Sequence, residues 1–262
     1  MKTIVCIKQV PNTNEVRLDP KTSTLIREGV PSIINPDDKN ALEEAISLKS
    51  RYGGAVTVIT MGPPQADVAL REALAMGADE AILLSDRAFA GADTWATSLT
   101  LAHAVRKIGP FDLIFCGRQA IDGDTAQVGP ELAEHLDLPQ VTYVRKVLSI
   151  QGGVVTVERA MEDGHEVIEC QLPAVLTAVK ELNVPRYPTV NGIVEAFRLK
   201  KPLVWNAEQI GADPEKIGLK GSPTQVKRTF TPPVKGAGRT LTGNPKDMVQ
   251  TLVQELRNQH VL

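Results

Sequence analysis

The chain has few of the residues that mark several common classes of protein. Aromatic residues make up 4% of its 262 residues, too few for the base-stacking platforms of proteins that bind single-stranded nucleic acid. Its net charge of -2 offers no electrostatic attraction to nucleic acid or to an anionic membrane. It has no uninterrupted apolar run long enough to cross a bilayer and no signal-peptide pattern at its start. We therefore expect a soluble, cytoplasmic protein with neither a nucleic-acid partner nor membrane insertion.

Cysteine and histidine are also scarce. The three cysteines, Cys6, Cys116 and Cys170, lie in or beside apolar runs, and their odd number and spacing indicate neither a disulfide framework nor a zinc site. We expect them to be small buried residues in a reducing compartment. The four histidines are scattered, without metal-ligand spacing to one another or to a cysteine. The sequence therefore predicts no metal site.

Three common site motifs are missing as well. No Gly-x-Gly-x-x-Gly follows the first predicted strand, and neither Gly-x-x-x-x-Gly-Lys-Ser/Thr nor Gly-x-Ser-x-Gly is present. Their absence argues, in turn, against a dinucleotide site of the standard type, a Walker-type ATPase and an α/β-hydrolase. Any phosphate binding must therefore use helix N-termini and loops of another kind.

What is present is a regular alternation of strand and helix over the first half of the chain. Apolar strand patterns over residues 3–10, 55–61, 80–84 and 111–116 are each followed by a helical pattern. This alternation is typical of a Rossmann-like α/β fold, a mostly parallel sheet with helices on both faces. A hairpin excursion is predicted between the first strand and the first helix, over residues 15–18 and 24–27.

The pattern changes in the second half. Residues 141–150, 154–159, 167–172 and 174–179 have strand patterns separated by turn residues, which predicts a hairpin-rich edge. From Glu181 onward, repeated prolines and the lack of an apolar core predict an extended C-terminal arm. The arm is expected to end in an amphipathic helix from Pro245 to about Gln259.

We therefore divide the chain into an α/β domain for an adenine nucleotide, residues 1–182, and a partner-recognition loop with a C-terminal arm, residues 183–262. The apolar stripe of the last helix is expected to contact another subunit, and packing against the home domain is the alternative. The stripe consists of Met248, Leu252, Val253 and Leu256.

The most informative segment is a polar loop that follows the fourth strand and precedes a helix. This segment, called the 117–128 loop below, consists of Gly117, Arg118, Gln119, Ala120, Ile121, Asp122, Gly123, Asp124, Thr125, Ala126, Gln127 and Val128. Ligands of parallel sheets bind where strands end and loops lead into helices. The two glycines allow close approach of the backbone to a ligand. We therefore predict a nucleotide-binding loop here.

The charges of this loop restrict how it can hold a nucleotide. A carboxylate beside a pyrophosphate is repulsive, so Asp122 and Asp124 are expected to cap a helix, accept ribose hydroxyls or pair with Arg118. Asp124 or Thr125 can cap the following helix. Backbone N–H groups, Thr125 and Arg118 are the expected phosphate contacts.

Other strand ends and one helix start are predicted to face the same rim. Their candidate ligand contacts are Cys6, Met61, Asn35, Pro36, Asp37 and Asp38. Asn35 can cap the helix that Pro36 begins. For Asp37 and Asp38, a favourable charge at a helix N-terminus explains the residues as well as ligand contact does. For Cys6 and Met61, packing is the simpler explanation.

Over nearly its whole length, the chain resembles the beta subunit of electron-transferring flavoproteins. The resemblance lies above all in the 117–128 loop. The other matching segments are Val5–Pro11, Gly29–Val30 before Asn35–Pro36, Ala73–Asp79 and Leu182–Pro188.

The resemblance implies a heterodimer with an alpha subunit that holds one FAD, while the chain itself holds a second adenine nucleotide. It places the nucleotide contacts on Cys6, on Asn35 to Asp38, on Met61 and on the 117–128 loop. In electron-bifurcating members this nucleotide is FAD, which takes a hydride from NADH. One electron then goes to the alpha-subunit FAD and a partner FAD-containing dehydrogenase, and the other goes to ferredoxin or flavodoxin. All these residues would bind the nucleotide, so no catalytic residue is expected.

The segment from about Arg186 to Lys200 is similar to the family's recognition loop for a dehydrogenase. Arg186, Tyr187 and Val190 are the candidate partner contacts. Val190 stands where the family places an apolar anchor, often leucine, and it reaches less far.

The resemblance leaves the identity of the nucleotide open between FAD and AMP. Members that hold a structural AMP usually have an aspartate where Gly123 stands, so Gly123 favours FAD and an electron-bifurcating member from an anaerobe. A non-bifurcating member with AMP is the alternative. An adenine-nucleotide-binding sensor without a partner is a further class, which the proline-rich arm disfavours.

Overall fold

The structure is a computed structural model that describes residues 1–12, 31–227, 236 and 238–262. The chain forms two compact units, Met1–Val226 and Lys227–Leu262, which are described separately below. The predicted hairpin at residues 15–18 and 24–27, and the Gly29–Val30 segment, lie outside the described residues.

The described residues form eleven strands and six α-helices. The strands are β1 (Lys2–Cys6), β2 (Gln9–Pro11), β3 (Ser32–Ile34), β4 (Ala55–Met61), β5 (Glu80–Leu84), β6 (Leu113–Gly117), β7 (Gln140–Gln151), β8 (Val154–Met161), β9 (Gly164–Gln171), β10 (Ala174–Ala178) and β11 (Leu203–Trp205). The helices are α1 (Pro36–Tyr52), α2 (Asp67–Met76), α3 (Thr94–Ile108), α4 (Val128–Leu136), α5 (Val190–Arg198) and α6 (Pro245–Asn258).

A nine-stranded sheet forms the centre of the first unit, in the order β11-β5-β4-β1-β6-β10-β7-β8-β9. The pairs from β11 to β7 are all parallel, whereas β7, β8 and β9 pair antiparallel. The predicted mostly parallel sheet with a hairpin-rich edge is therefore confirmed. Strands β2 and β3 form a separate two-stranded antiparallel sheet.

Helices cover both faces of the sheet, as predicted. Neighbouring residues of a strand point to opposite faces, so Val5 packs in one apolar cluster and Ile4 in another. The first cluster includes Leu42 of α1 and Leu70 of α2. The second includes Leu101 of α3 and residues of α4. Each face thus has its own buried core.

Strand β10 lies elsewhere than the sequence pattern suggested. We predicted it as part of the hairpin-rich edge, but it is inserted between β6 and β7 and is parallel to both. All five of its residues are buried. A short strand that is apolar on both faces suits the interior of a parallel sheet, which helices cover on both sides.

The first unit continues past the predicted boundary at residue 182, to Val226. Strand β11 adds to the edge of the sheet beside β5, with Val204 opposite Leu83. Helix α5 packs against α2, where the Arg71 guanidinium donates to the Ala196 carbonyl over 2.8 Å. The proline-rich segment thus completes the sheet edge and covers one helix, although it has no core of its own.

The second unit contains α6, the helix predicted from Pro245. Asn244 caps it by accepting a hydrogen bond from the Asp247 N–H over 3.0 Å. None of its residues is buried, and Leu252 of the predicted stripe is 47% exposed. Among the residues described, no helix is both long and apolar enough to cross a membrane.

Candidate functional site

A large cavity lies at the carboxyl ends of the parallel strands. After β1, the chain builds the sheet on one side through β4 and β5 and then crosses to the other side for β6. Such a reversal opens a crevice between the two strands from which the loops diverge. The cavity has a volume of about 1010 Å³ and is lined by residues that follow β1, β4, β5 and β6.

The structure brings most of the predicted ligand contacts together in this cavity. Those that line it are Cys6, Asp38, Met61, Gly117, Arg118, Gln119, Ala120, Gly123, Thr125, Ala126, Gln127 and Val128. The predicted contacts that do not belong to its described lining are Asn35, Pro36, Asp37, Ile121, Asp122 and Asp124. The second group surrounds the cavity and supports the first.

Asn35 holds the 117–128 loop in place. Its side-chain amide donates to the Gln119 carbonyl over 2.8 Å, and its side-chain oxygen accepts from the Ile121 N–H over 3.0 Å. Asn35 stands at the N-cap position of α1, but its side chain makes no capping hydrogen bond. The prediction that it caps the helix is therefore wrong, because the loop takes both polar atoms of this buried side chain.

Asp38 joins the ends of the two central strands. Its carboxylate accepts from the Lys8 N–H over 2.7 Å and from the Gly117 N–H over 3.0 Å. Burial raises the pKa of Asp38 to about 7, although hydrogen bonds from Asn35, Lys8 and Gly117 favour the charged form. Asp38 therefore spans the point where β1 and β6 separate.

The loop carboxylates have partners other than those predicted. Asp122 pairs with the Lys8 ammonium at 2.6 Å, and Asp124 accepts a hydrogen bond from the Gln119 side chain. Neither pairs with Arg118, whose guanidinium instead lies 3.4 Å from the Asp37 carboxylate. The predicted pairing with Arg118 is wrong, because the fold places the start of α1 beside β6.

Arg118 retains binding capacity at the cavity wall. Its Nε atom is the one that lies 3.4 Å from the Asp37 carboxylate, without a hydrogen bond in the described part of the chain, and its guanidinium lies 5.9 Å from the centre of the Tyr143 ring. Burial raises the pKa of Asp37, and the charge of Arg118 opposes this shift. A ligand anion would therefore meet a cation that is already oriented.

Helix α4 begins at the cavity without a side-chain cap. Its N-cap residue is Gln127, whose side chain does not bond to the helix, so the prediction that Asp124 or Thr125 caps it is wrong. Val128 and Gly129 line the cavity, and Pro130 has no N–H to offer. Free N–H groups at a helix start favour an anion.

The backbone before α4 is held in an uncommon conformation. Asp124 and Ala126 both have φ of 54°, in the left-handed region that residues other than glycine rarely adopt. Gln127 then returns to φ of -102°. A change of hand between neighbouring residues turns successive N–H groups to one side, an arrangement typical of anion-binding turns.

Two cysteines lie at the floor of the cavity. Cys6 and Cys116 are opposite each other in the β1–β6 register, and both are buried free thiols. A hydrogen bond with Cys116 and burial raise the pKa of the Cys6 thiol well above its ordinary value. Cys6 therefore presents a neutral thiol to the cavity.

Sequence reasoning missed the wall contributed by residues 85–94, which follow β5. Ser85, Asp86, Arg87 and Phe89 line the cavity there, together with the start of α3. The strand-end rule used for the other three strands would have found them, because β5 is parallel to its neighbours. Thr224 and Val226 also line the cavity, and no local pattern marks them.

The predicted partner contacts lie in a separate region. The Arg186 guanidinium makes two 2.8 Å hydrogen bonds to the Glu43 carboxylate of α1, and the Arg186 N–H makes a third over 3.0 Å. Tyr187 is 91% exposed and Val190 is 78% exposed. Arg186 is thus anchored to α1, whereas Tyr187 and Val190 project outward.

Comparison with known proteins bears on both regions. The model of the electron transfer flavoprotein domain matches residues 22–202, more than half of the chain. The chain belongs to the electron transfer flavoprotein family. The resemblance drawn from the sequence segments is therefore confirmed.

The relatives of the chain within this family match along the full length. It is 63% identical over 262 residues to an electron transfer flavoprotein subunit beta from Thermoanaerobacterium thermosaccharolyticum, with 100% of both chains covered. It is 57% identical over 265 residues to the caffeyl-CoA reductase-Etf complex subunit CarD from Acetobacterium woodii, and 48% identical over 270 residues to the acryloyl-CoA reductase electron transfer subunit gamma from Anaerotignum propionicum. Both of these matches also cover 100% of each chain.

Proposed function

We propose that the chain is the beta subunit of a heterodimeric electron transfer flavoprotein and holds an FAD in the cavity between β1 and β6. The observation that carries this proposal is the extent of the cavity. Neighbouring strands lie about 4.8 Å apart, so the ends of β5 and β6, three spacings apart in the sheet, are separated by roughly 14 Å. The volume of about 1010 Å³ is at the upper end of small-molecule sites. A dinucleotide uses such an extended crevice better than a mononucleotide does.

The residues present fit the phosphates of such a ligand. The uncapped N–H groups of Val128 and Gly129, the Thr125 hydroxyl and the partly unsatisfied Arg118 converge on the β6 side of the cavity. Asp122 and Asp124 do not belong to its described lining, and the Asp38 carboxylate, which does, accepts the N–H groups of Lys8 and Gly117. The repulsion expected between carboxylate and pyrophosphate is therefore reduced on this side.

Gly123 leaves room in the same wall. Among the described residues, a Cβ atom at this position would meet only the Lys8 ammonium, at 4.0 Å. This space is available to the part of a ligand that extends beyond an AMP moiety. This supports FAD over AMP.

When bound, FAD would supply the redox chemistry, accepting a hydride from NADH and releasing electrons singly towards the alpha-subunit flavin and towards ferredoxin or flavodoxin. The chain's own residues bind and orient the nucleotide. Asp38 and Asn35 keep the strand ends and the 117–128 loop in position, and the neutral Cys6 thiol adds no charge to the cavity. No side chain is required as an acid or a base.

We assign the docking of a partner FAD-containing dehydrogenase to the exposed face of α5 and the segment before it. Its exposed apolar residues are Val184, Tyr187, Val190, Ile193, Val194 and Phe197. A contiguous apolar surface of this kind suits a protein contact. Relatives named as parts of caffeyl-CoA and acryloyl-CoA reductase systems support an acyl-CoA dehydrogenase-type partner. We propose that the second unit, which contains α6, contacts the alpha subunit.

Flavin stoichiometry tests the proposal. The chain is co-expressed with its alpha subunit, purified without added nucleotide, and its FAD and AMP contents are measured after denaturation. We expect two FAD per heterodimer and anaerobic bleaching of flavin by NADH. One FAD with one AMP, and no bleaching, would contradict the proposal and support a structural AMP.

A substitution at Gly123 sharpens this test. Gly123→Asp introduces a carboxylate into the cavity wall, and we expect it to lower the content to one FAD per heterodimer. Gly123→Ala adds volume without charge where space is open and should retain both flavins. Retention of two flavins by the aspartate variant would show that Gly123 does not determine whether FAD or AMP is bound.

A further inference from the structure

The segment that follows β5 contributes a second group suited to an anion to the cavity lining. Residues 85–93, called the β5 rim below, follow β5 and contribute Arg87 to the cavity lining. The Arg87 side chain is exposed. No motif and no predicted ligand contact falls on this rim.

Arg87 differs from the other two cations that line the cavity. Lys8 is paired with Asp122 at 2.6 Å, and Arg118 lies 3.4 Å from Asp37. Within the described ranges, the Arg87 side chain has neither a hydrogen bond nor an ion pair, and the Arg87 carbonyl accepts from the Ala90 N–H over 3.1 Å. A guanidinium that lines a cavity without an internal partner has all of its N–H donors available to a ligand.

The two acidic residues of the rim do not compete for Arg87. Asp86 accepts from the Ala88 N–H over 3.0 Å and from the Ala207 N–H over 3.1 Å. Asp93 accepts from the N–H and the hydroxyl of Thr224, over 2.9 and 2.8 Å, and also caps α3. Both carboxylates serve the local backbone, and the capped start of α3 is closed to an anion.

The positions of the two anion-binding regions limit the class of ligand. Arg87 follows β5 and the start of α4 follows β6, and these two strands are three spacings, or roughly 14 Å, apart in the sheet. The chain directly after the β5 rim returns to α4, where the Thr94 hydroxyl donates to the Gln127 side chain over 3.2 Å. A cavity of about 1010 Å³ between these elements has room for more than one phosphate, either in one long nucleotide or in two nucleotides that bind side by side.

We propose that Arg87 binds a phosphate of a nucleotide at the β5 rim, as a second anion subsite distinct from the 117–128 loop. This inference rests on the proposed nucleotide site and adds Arg87 to it as a phosphate contact. The phosphate belongs either to the resident FAD or to NADH, and the two sources share the same chemistry.

Two binding measurements on the FAD-loaded heterodimer test the inference. The first is the dissociation constant of FAD, from flavin released on dilution, and the second is that of NAD⁺, by calorimetry. Arg87→Ala should weaken one of the two by about tenfold or more, and Arg87→Lys should restore part of the loss. A change in FAD affinity assigns the subsite to the resident nucleotide, and a change in NAD⁺ affinity alone assigns it to the incoming one.

Arg145→Ala is the matched control. Arg145 is a half-exposed arginine of β7, at the other end of the parallel sheet. The Arg145→Ala variant should leave the dissociation constants of FAD and NAD⁺ unchanged. If the Arg87→Ala heterodimer binds both nucleotides as the wild type does, the inference is overturned while the proposed site stands. If the wild-type chain holds no nucleotide, the proposed function itself fails.

Discussion

Gly117 is a position at which the packed fold leaves no room for a side chain, and Gly117→Ala tests the link between α1 and the cavity. A Cβ atom there would lie 2.2 Å from Oδ1 of Asp38, 2.6 Å from the Asp38 nitrogen and 2.8 Å from the Asp37 carbonyl carbon. Two of these atoms are backbone, so a rotamer change cannot relieve the clash. The start of α1 would have to move away from β6.

The expected cost has two parts. Forcing an extra carbon into a packed site costs about 1–3 kcal/mol. Moving α1 also breaks the 3.0 Å hydrogen bond from the Gly117 N–H to the Asp38 carboxylate, and a bond to a charged group contributes about 1.5–3 kcal/mol. Together they predict a loss of about 2.5–6 kcal/mol, or roughly 5–24 °C in Tm for a unit of this size.

Thermal unfolding followed by circular dichroism measures this loss, and Gly123→Ala is the control. The control lies six residues away in the same loop, but within the part of the chain that the structure describes its Cβ would meet only the Lys8 ammonium, at 4.0 Å. We expect its Tm to stay within about 2 °C of the wild type. If Gly117→Ala unfolds as late as the wild type, or if both variants fall equally, the steric argument is refuted.

Two further predictions concern Asp38 and the exposed face of α5. The pKa of Asp38 is raised to about 7 in the folded chain, so the protonated carboxyl group stabilises the fold. This stabilisation is complete below about pH 4 and is lost as the pH rises through 7. Asp38→Asn should therefore flatten the decline in unfolding free energy between pH 4 and 7, by up to roughly 4 kcal/mol, in urea titrations. Parallel curves for the two proteins would contradict this. Val190→Asp should raise the KM for the partner dehydrogenase about tenfold, since an exposed apolar side chain contributes there without supporting the fold. Val167→Asp, at a residue of β9 that is 59% exposed, is the control and should change nothing; equal effects of both variants would argue against docking at α5.

Local patterns in the sequence were sufficient for the architecture of the α/β core. Alternation of apolar strands and amphipathic helices depends on residues close in sequence, so it predicted the parallel sheet and its two helical layers. The strand-end rule then located the 117–128 loop, Cys6, Met61 and Asp38 at one cavity. The same rule would have included the wall after β5.

The partners of individual charges could not be obtained in this way. Asp122 was expected to cap a helix, accept a ribose hydroxyl or pair with Arg118, but its partner Lys8 is 114 residues away. Arg118 lies beside Asp37 because α1 starts next to β6. For the same reason, the Asn35 side chain forms hydrogen bonds with the backbone of the 117–128 loop. Each of these contacts depends on which strands become neighbours.

The sequence by itself determined the alternating strands and helices of the first half of the chain, the location of the loop and, through its motifs, the family. Only the tertiary structure decided that β10 lies inside the sheet, that β11 completes its edge, and that Arg87 faces the cavity. The physical reason is the separation along the sequence of the residues that interact. Periodicity and turn chemistry act over a few residues, whereas strand order and charge pairing are set by packing between segments far apart in the chain.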